Sequence, residues 1–115
     1  MPLFAFVGRL QPNKTTEFRQ FIADLNGSRK KEYEDSRKKA GFRQEAMFLQ
    51  KSPMGDMVVL IQDAKDEAAA LTALRGMTDS FHVWYFQRMK DIHGIDFTGP
   101  ALPSNELLLD YRSKD

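Results

Sequence analysis

Cysteine is absent from this chain, which excludes disulfides, thiolate metal sites and cysteine nucleophiles. An excess of one charge is nearly absent too: 17 Lys and Arg stand against 16 Asp and Glu, a formal net charge of +1. Without a strong single-sign field, neither nucleic acid nor an anionic membrane surface is an expected partner. No run approaches the ~20 apolar residues needed to cross a bilayer. The apolar stretch from Met1 to Leu10 is short, has no leading basic region and runs into a polar segment, so it reads as a first strand and not a signal peptide. Gly-rich phosphate loops, serine-hydrolase elbows and zinc motifs are also missing. These absences lead to the expectation of a cytoplasmic protein with no cofactor and no metal.

The 115 residues suit one domain with a single core. Leu3 to Leu10, rich in Phe and Val and closed by Gln11, Pro12 and Asn13, predicts a strand. Lys14 to Ala40 follows with helical periodicity, interrupted at Asn26, Gly27 and Ser28, and Gly41 fits the position just past its end. Phe42 to Lys51 and Met57 to Asp63 are strand-length, and Ser52, Pro53, Met54, Gly55 and Asp56 between them carry hairpin chemistry. Two more helices are predicted: Lys65 to Met77, rich in Ala and Leu, and Phe81 to His93, with Asp79 or Ser80 as N-cap and Gly94 as stop. Beyond a Pro/Gly-containing loop from Thr98 to Asn105, Leu107, Leu108, Leu109 and Tyr111 predict a last strand or an arm lying on a partner. The order β, α, β, β, α, α, β fits an α+β, ferredoxin-like split βαβ domain with an antiparallel sheet and helices on one face. Its expected extent is residues 1–97, with 98–115 as the C-terminal loop and strand or arm.

The first long helical segment carries the sharpest functional signal. At roughly 100° per residue, Phe18, Ile22, Leu25, Arg29, Tyr33, Ser36 and Ala40 share one face. The stripe begins apolar and ends polar, which points to a pocket wall. Arg29 can hold a carboxylate in a bidentate contact, and Tyr33 and Ser36 supply further hydrogen bonds. If Gly27 breaks the helix instead, the second half rotates and Arg29 lies in water. In the next strand, alternation places Arg43, Glu45, Met47 and Leu49 on one face and Phe42, Gln44, Ala46, Phe48 and Gln50 on the other. Glu45 facing the helices would be a partner for Arg29 or, desolvated, a general base.

The last helix is the aromatic centre of the chain, with Phe81, Tyr85, Arg88 and Ile92 in one stripe, Trp84 on one flank and His82, Phe86, Met89 and His93 on the other. This coverage exceeds what one sheet needs and suggests a ligand or second subunit, although core packing is the commoner use of aromatics. His82 and His93 stand about 16 Å apart along the helix and cannot share an ion. Asp91, His93 and Asp96 form at most a weak carboxylate and imidazole set, which helix-end capping by His93 explains more simply.

With these elements in this order, the chain resembles the dimeric α+β barrel superfamily, the group that contains antibiotic-biosynthesis-type monooxygenases. Glu45 to Gln50 leading into Ser52, Pro53, Met54, Gly55 and Asp56, and the run Ile92, His93, Gly94, Ile95 and Asp96, resemble a small uncharacterised bacterial branch of it. The resemblance implies a homodimer with its sheets brought together and a cavity in each subunit between sheet and helices. Heme-degrading members use separated Asn, Trp and His residues. Here Trp84 and His82 lie two residues apart on one helix, pointing about 160° apart, so that constellation is not reproduced.

The leading expectation is therefore a homodimer that binds a small, largely apolar organic molecule with an acidic or carbonyl end. Arg29, Tyr33 and Ser36 would hold the polar end, and Phe81, Trp84 and Tyr85 would line the apolar part. A second expectation is a cofactor-independent oxygenase or isomerase with Glu45 or His82 as base. In a third, the aromatic face is a dimer surface and no ligand binds.

Overall fold

A computed structural model describes residues 3–98 and 105–113. In chain order the elements are β1 (Leu3–Arg9), α1 (Thr15–Asn26), α2 (Lys30–Ala40), β2 (Phe42–Gln50), β3 (Met57–Ala64), α3 (Glu67–Arg75) and α4 (Ser80–His93). The result is an α+β arrangement compatible with a ferredoxin-like fold, with an antiparallel sheet of order β1-β3-β2 among the described residues. No helix among them is long and apolar enough to cross a membrane.

The long first helix is in fact two. Gly27, Ser28 and Arg29 interrupt it, and the Gly27 and Arg29 N–H groups both bond to the Asp24 carbonyl, so the α1 ladder ends there. A Cβ at Gly27 would sit 3.0 Å from the Ala23 carbonyl oxygen, a tight approach that glycine avoids. Gly41 ends α2 in the left-handed region at φ 102°, its N–H returning to the Arg37 and Lys38 carbonyls. Asp66 caps α3 by accepting from the Ala69 N–H.

Register sorts the sheet into two faces. Phe6, Leu60 and Met47 form one row toward the helices, and Gly8, Val58 and Leu49 the next. They meet a core of Phe18, Phe21 and Leu25 from α1 and Phe81, Tyr85, Met89 and Ile92 from α4. On the opposite face, Ala5, Ile61 and Ala46 form a row beside Val7, Val59 and Phe48, and Val7 and Phe48 are exposed. A register irregularity between Phe42 and Gln44 alters the expected alternation of β2. It turns Phe42 inward to Ala40, Ala64, Ala70 and Leu74, while Arg43 reaches Asp63 on the other side.

Residues 105–113 form no strand: Leu108, Leu109 and Tyr111 are exposed, and the Asn105 side chain donates to the Ala5 carbonyl on the free edge of β1. Most of the Pro/Gly-containing segment expected from 98 to 105 lies outside the described residues.

His93 fastens the end of α4 to the sheet, its Nδ1–H donating to the Arg9 carbonyl at 2.9 Å. Burial lowers the pKa of its imidazole, and the bond to Arg9 opposes this only in part. Below the unfolded value of about 6.5 the unfolded chain binds the proton more readily, so folding stability declines as pH falls from about 7 toward 5. Urea unfolding across this range should show that decline, and His93→Asn should flatten it.

Candidate functional site

Between α2, α4 and the sheet lies a connected set of buried polar side chains, and its centre is Arg37, not Arg29. Within α2, Ser36, Arg37 and Ala40 are buried and Tyr33 is half-buried, the 3-4 spacing of one helix face. Arg37 Nε donates to Glu45 Oε1 at 3.1 Å, with both side chains less than a tenth exposed. Its Nη1 donates to Ser36 Oγ at 2.9 Å and its Nη2 to the Tyr85 hydroxyl at 2.7 Å. The guanidinium also lies 4.7 Å from the Tyr33 ring centre and 4.8 Å from that of Tyr85.

Glu45 is the anion of this set. It stands opposite Gln62 in the sheet, on the helix-facing side, because two-residue alternation carries it there from Met47 and Leu49. Oε1 accepts from the Tyr33 hydroxyl at 2.5 Å as well as from Arg37, and Oε2 accepts from Gln62 Nε2 at 2.7 Å. A carboxylate with three donors, one of them a guanidinium, is a satisfied buried charge. Burial and the neighbouring Glu45 charge raise the Tyr33 pKa, and burial pushes that of Tyr85 up to about 12, so both phenols keep their protons.

A cavity of about 110 Å³ opens beside this cluster, between sheet and helices. Arg37, Glu45, Gln62 and Tyr85 stand at its polar side, Glu67 and Arg75 of α3 also line it, and Phe6, Leu60, Leu71, Leu74, Phe86 and Met89 are among its apolar walls. Tyr85 accepts from Arg37, and no acceptor among the described residues meets its own hydroxyl proton.

The other expected site residues are divided among different surroundings. Arg29, displaced by the helix break, lies over the Trp84 ring at 4.2 Å and pairs with Glu32 at the partly exposed start of α2. Trp84 and Phe81 are outside the cavity lining: Trp84 borders a groove with Phe21 and Arg88, and Phe81 borders another with Ser36 and His82. Ser36 meets His82 Nε2 at 2.7 Å. Of the expected ligand-binding residues, Tyr85 alone lines the cavity, while Tyr33 supports it through Glu45. Arg37 and Gln62 were not expected; the signal for Arg37 is its i,i+4 relation to Tyr33 and i,i+3 relation to Ala40. Asp91, His93 and Asp96 have separate partners in Arg88, Arg9 and Thr98.

Comparison with protein-family models, curated proteins and solved structures finds no match for the chain.

Removing a donor from Glu45 should be costly, because a hydrogen bond to a buried charge contributes about 1.5–3 kcal/mol. Tyr33→Phe and Gln62→Leu should each lower unfolding free energy by about that amount. Lys31→Ala, which breaks an exposed pair with Asp35, should cost under about 1 kcal/mol in the same denaturation series.

Proposed function

We propose that the protein binds a small, largely apolar organic molecule with a carbonyl or carboxylate end in the cavity between sheet and helices. The observation that carries this reading is the Tyr85 hydroxyl: buried, kept protonated, and lining an apolar cavity without an acceptor of its own among the described residues. A bound carbonyl oxygen would accept that proton, and the N–H groups that Arg37 does not use on its present partners would reinforce a carboxylate. The volume sets the scale. An apolar cavity of ~150 Å³ holds benzene, so about 110 Å³ suits a short branched chain smaller than a ring.

Glu45 carries no comparable case as a general base, since both its oxygens already hold donors. The reading includes a homodimer of the α+β barrel type, supported by the two apolar rows on the open face of the sheet, where Phe48 is 58% exposed.

Isobutyrate and isovalerate are suitable probes, read by calorimetry and thermal unfolding. Saturation at about a hundredfold over Kd should stabilise the fold by ~2.7 kcal/mol. Tyr85→Phe should weaken binding at least tenfold, and Leu71→Trp, which fills the cavity, should abolish it. Arg29→Ala, outside the cavity, should leave affinity unchanged; a large loss there with no effect of Tyr85→Phe would move the site to the α1–α2 junction. Light scattering of the purified protein should give the dimer mass, and a Phe48→Asp variant should give the monomer.

A further inference from the structure

A second constellation sits on the far side of Arg37 from the cavity and has a chemistry of its own. Ser36 Oγ lies 2.7 Å from His82 Nε2, and His82 Nδ1 lies 2.7 Å from Asp79 Oδ1. Proton bookkeeping fixes the direction of these bonds. Arg37 can only donate, so its Nη1–H occupies one lone pair of Ser36 Oγ, and the Asp79 carboxylate can only accept, so the ring proton of a neutral His82 sits on Nδ1. Nε2 of that ring is then an acceptor, and the Ser36 hydroxyl donates to it. This is the tautomer that a general base needs to take a proton from a serine.

Each member is held by the fold. His82 and Ser36 are buried, the imidazole packed edge-on against Phe81, while Asp79 is the N-cap residue of α4. The Asp79 side chain turns to the His82 ring three residues on. Slight burial favours its neutral form, but the hydrogen bond from His82 outweighs this and holds the carboxyl below its ordinary range. All three line an open groove of about 250 Å³, with Met77 and Phe81 as apolar wall and Glu32, Asp35 and Lys39 among its rim residues.

We propose that Ser36, His82 and Asp79 form a nucleophilic site that hydrolyses small activated carboxylic esters by acyl transfer through Ser36. In the first step Oγ bonds to the acyl carbon, the bond from that carbon to the leaving alcohol oxygen breaks, and the serine proton passes by way of His82 to that oxygen. Water then adds to the acyl-serine, gives a proton to His82, and the ester bond to Oγ breaks; Oγ regains the proton and the acid leaves. Arg37, whose Nη1 donates to Oγ at 2.9 Å, holds the serine side chain in place through one lone pair and leaves the other for attack. The rim carboxylates Glu32 and Asp35 are paired with Arg29 and Lys31, so among the described residues the groove offers an anionic substrate no free cation at its rim but Lys39, and a neutral ester with a short acyl chain resting on Met77 and Phe81 fits it. Nothing in this depends on the neighbouring cavity being a binding site.

The test uses the whole protein with a fluorophosphonate, followed by peptide mass spectrometry, and with p-nitrophenyl acetate in stopped flow. One adduct on Ser36 and a stoichiometric burst of p-nitrophenol are expected. His82→Gln should slow both at least a hundredfold, in line with the 10²–10⁴ of a positioned general base. Asp79 is 59% exposed at its side chain, so Asp79→Asn should keep the fold by circular dichroism and still slow labelling at least tenfold. That variant decides the matter even where Ser36→Ala does not fold. No adduct on Ser36, an adduct on another residue only, or labelling unchanged in Asp79→Asn and His82→Gln would overturn the proposal.

Discussion

The interior of this protein depends on one ion pair, Arg37 with Glu45. Withdrawing two charges from water costs several kcal/mol each, and attraction between them offsets this only if their remaining donors and lone pairs are occupied. Here Tyr33 and Gln62 complete the carboxylate, while Ser36 and Tyr85 take the two ends of the guanidinium. Those partners come from α2, β3 and α4, and Glu45 itself from β2, so the pair fixes a helix–sheet–helix junction in one geometry. The cavity and the serine groove are consequences of that junction, one on each side of the guanidinium.

The helix break makes this possible. Had the chain run straight from α1 into α2, the apolar stripe through Phe18 and Leu25 would have carried Arg29 inward. Gly27 ends that phase, and the new helix presents Tyr33, Ser36, Arg37 and Ala40 instead. Arg29 then serves at the junction, stacked on Trp84, where a partly exposed cation over an aromatic ring contributes about 0.5–1 kcal/mol.

Much of the architecture is written in local chemistry. The hairpin turn from Ser52 to Asp56, the glycines at 41 and 94 and the alternation that groups Glu45 with Met47 and Leu49 are readable because each depends on neighbours a few residues away, while the side that group faces is set by the sheet's packing. Arg37 is not readable in that way. It stands in the run Ser36-Arg37-Lys38-Lys39, which looks like a solvated face, and only the phase of a helix restarted after Gly27 distinguishes it from the lysines. Phe42 eludes simple alternation because one irregular step in β2 reverses its side. The Asp79–His82–Ser36 chain spans 46 residues between its serine and histidine, so spacing along the sequence carries no trace of it.

A double-mutant cycle on Arg37 and Glu45, measured by equilibrium unfolding, bears most directly on the central interaction. Arg37→Met and Glu45→Met should each destabilise by about 3–5 kcal/mol, since each strands a buried partner, and the double substitution should cost less than the sum by a wide margin. Additive losses would contradict it, showing that the two side chains act independently and that the junction is held by apolar packing alone.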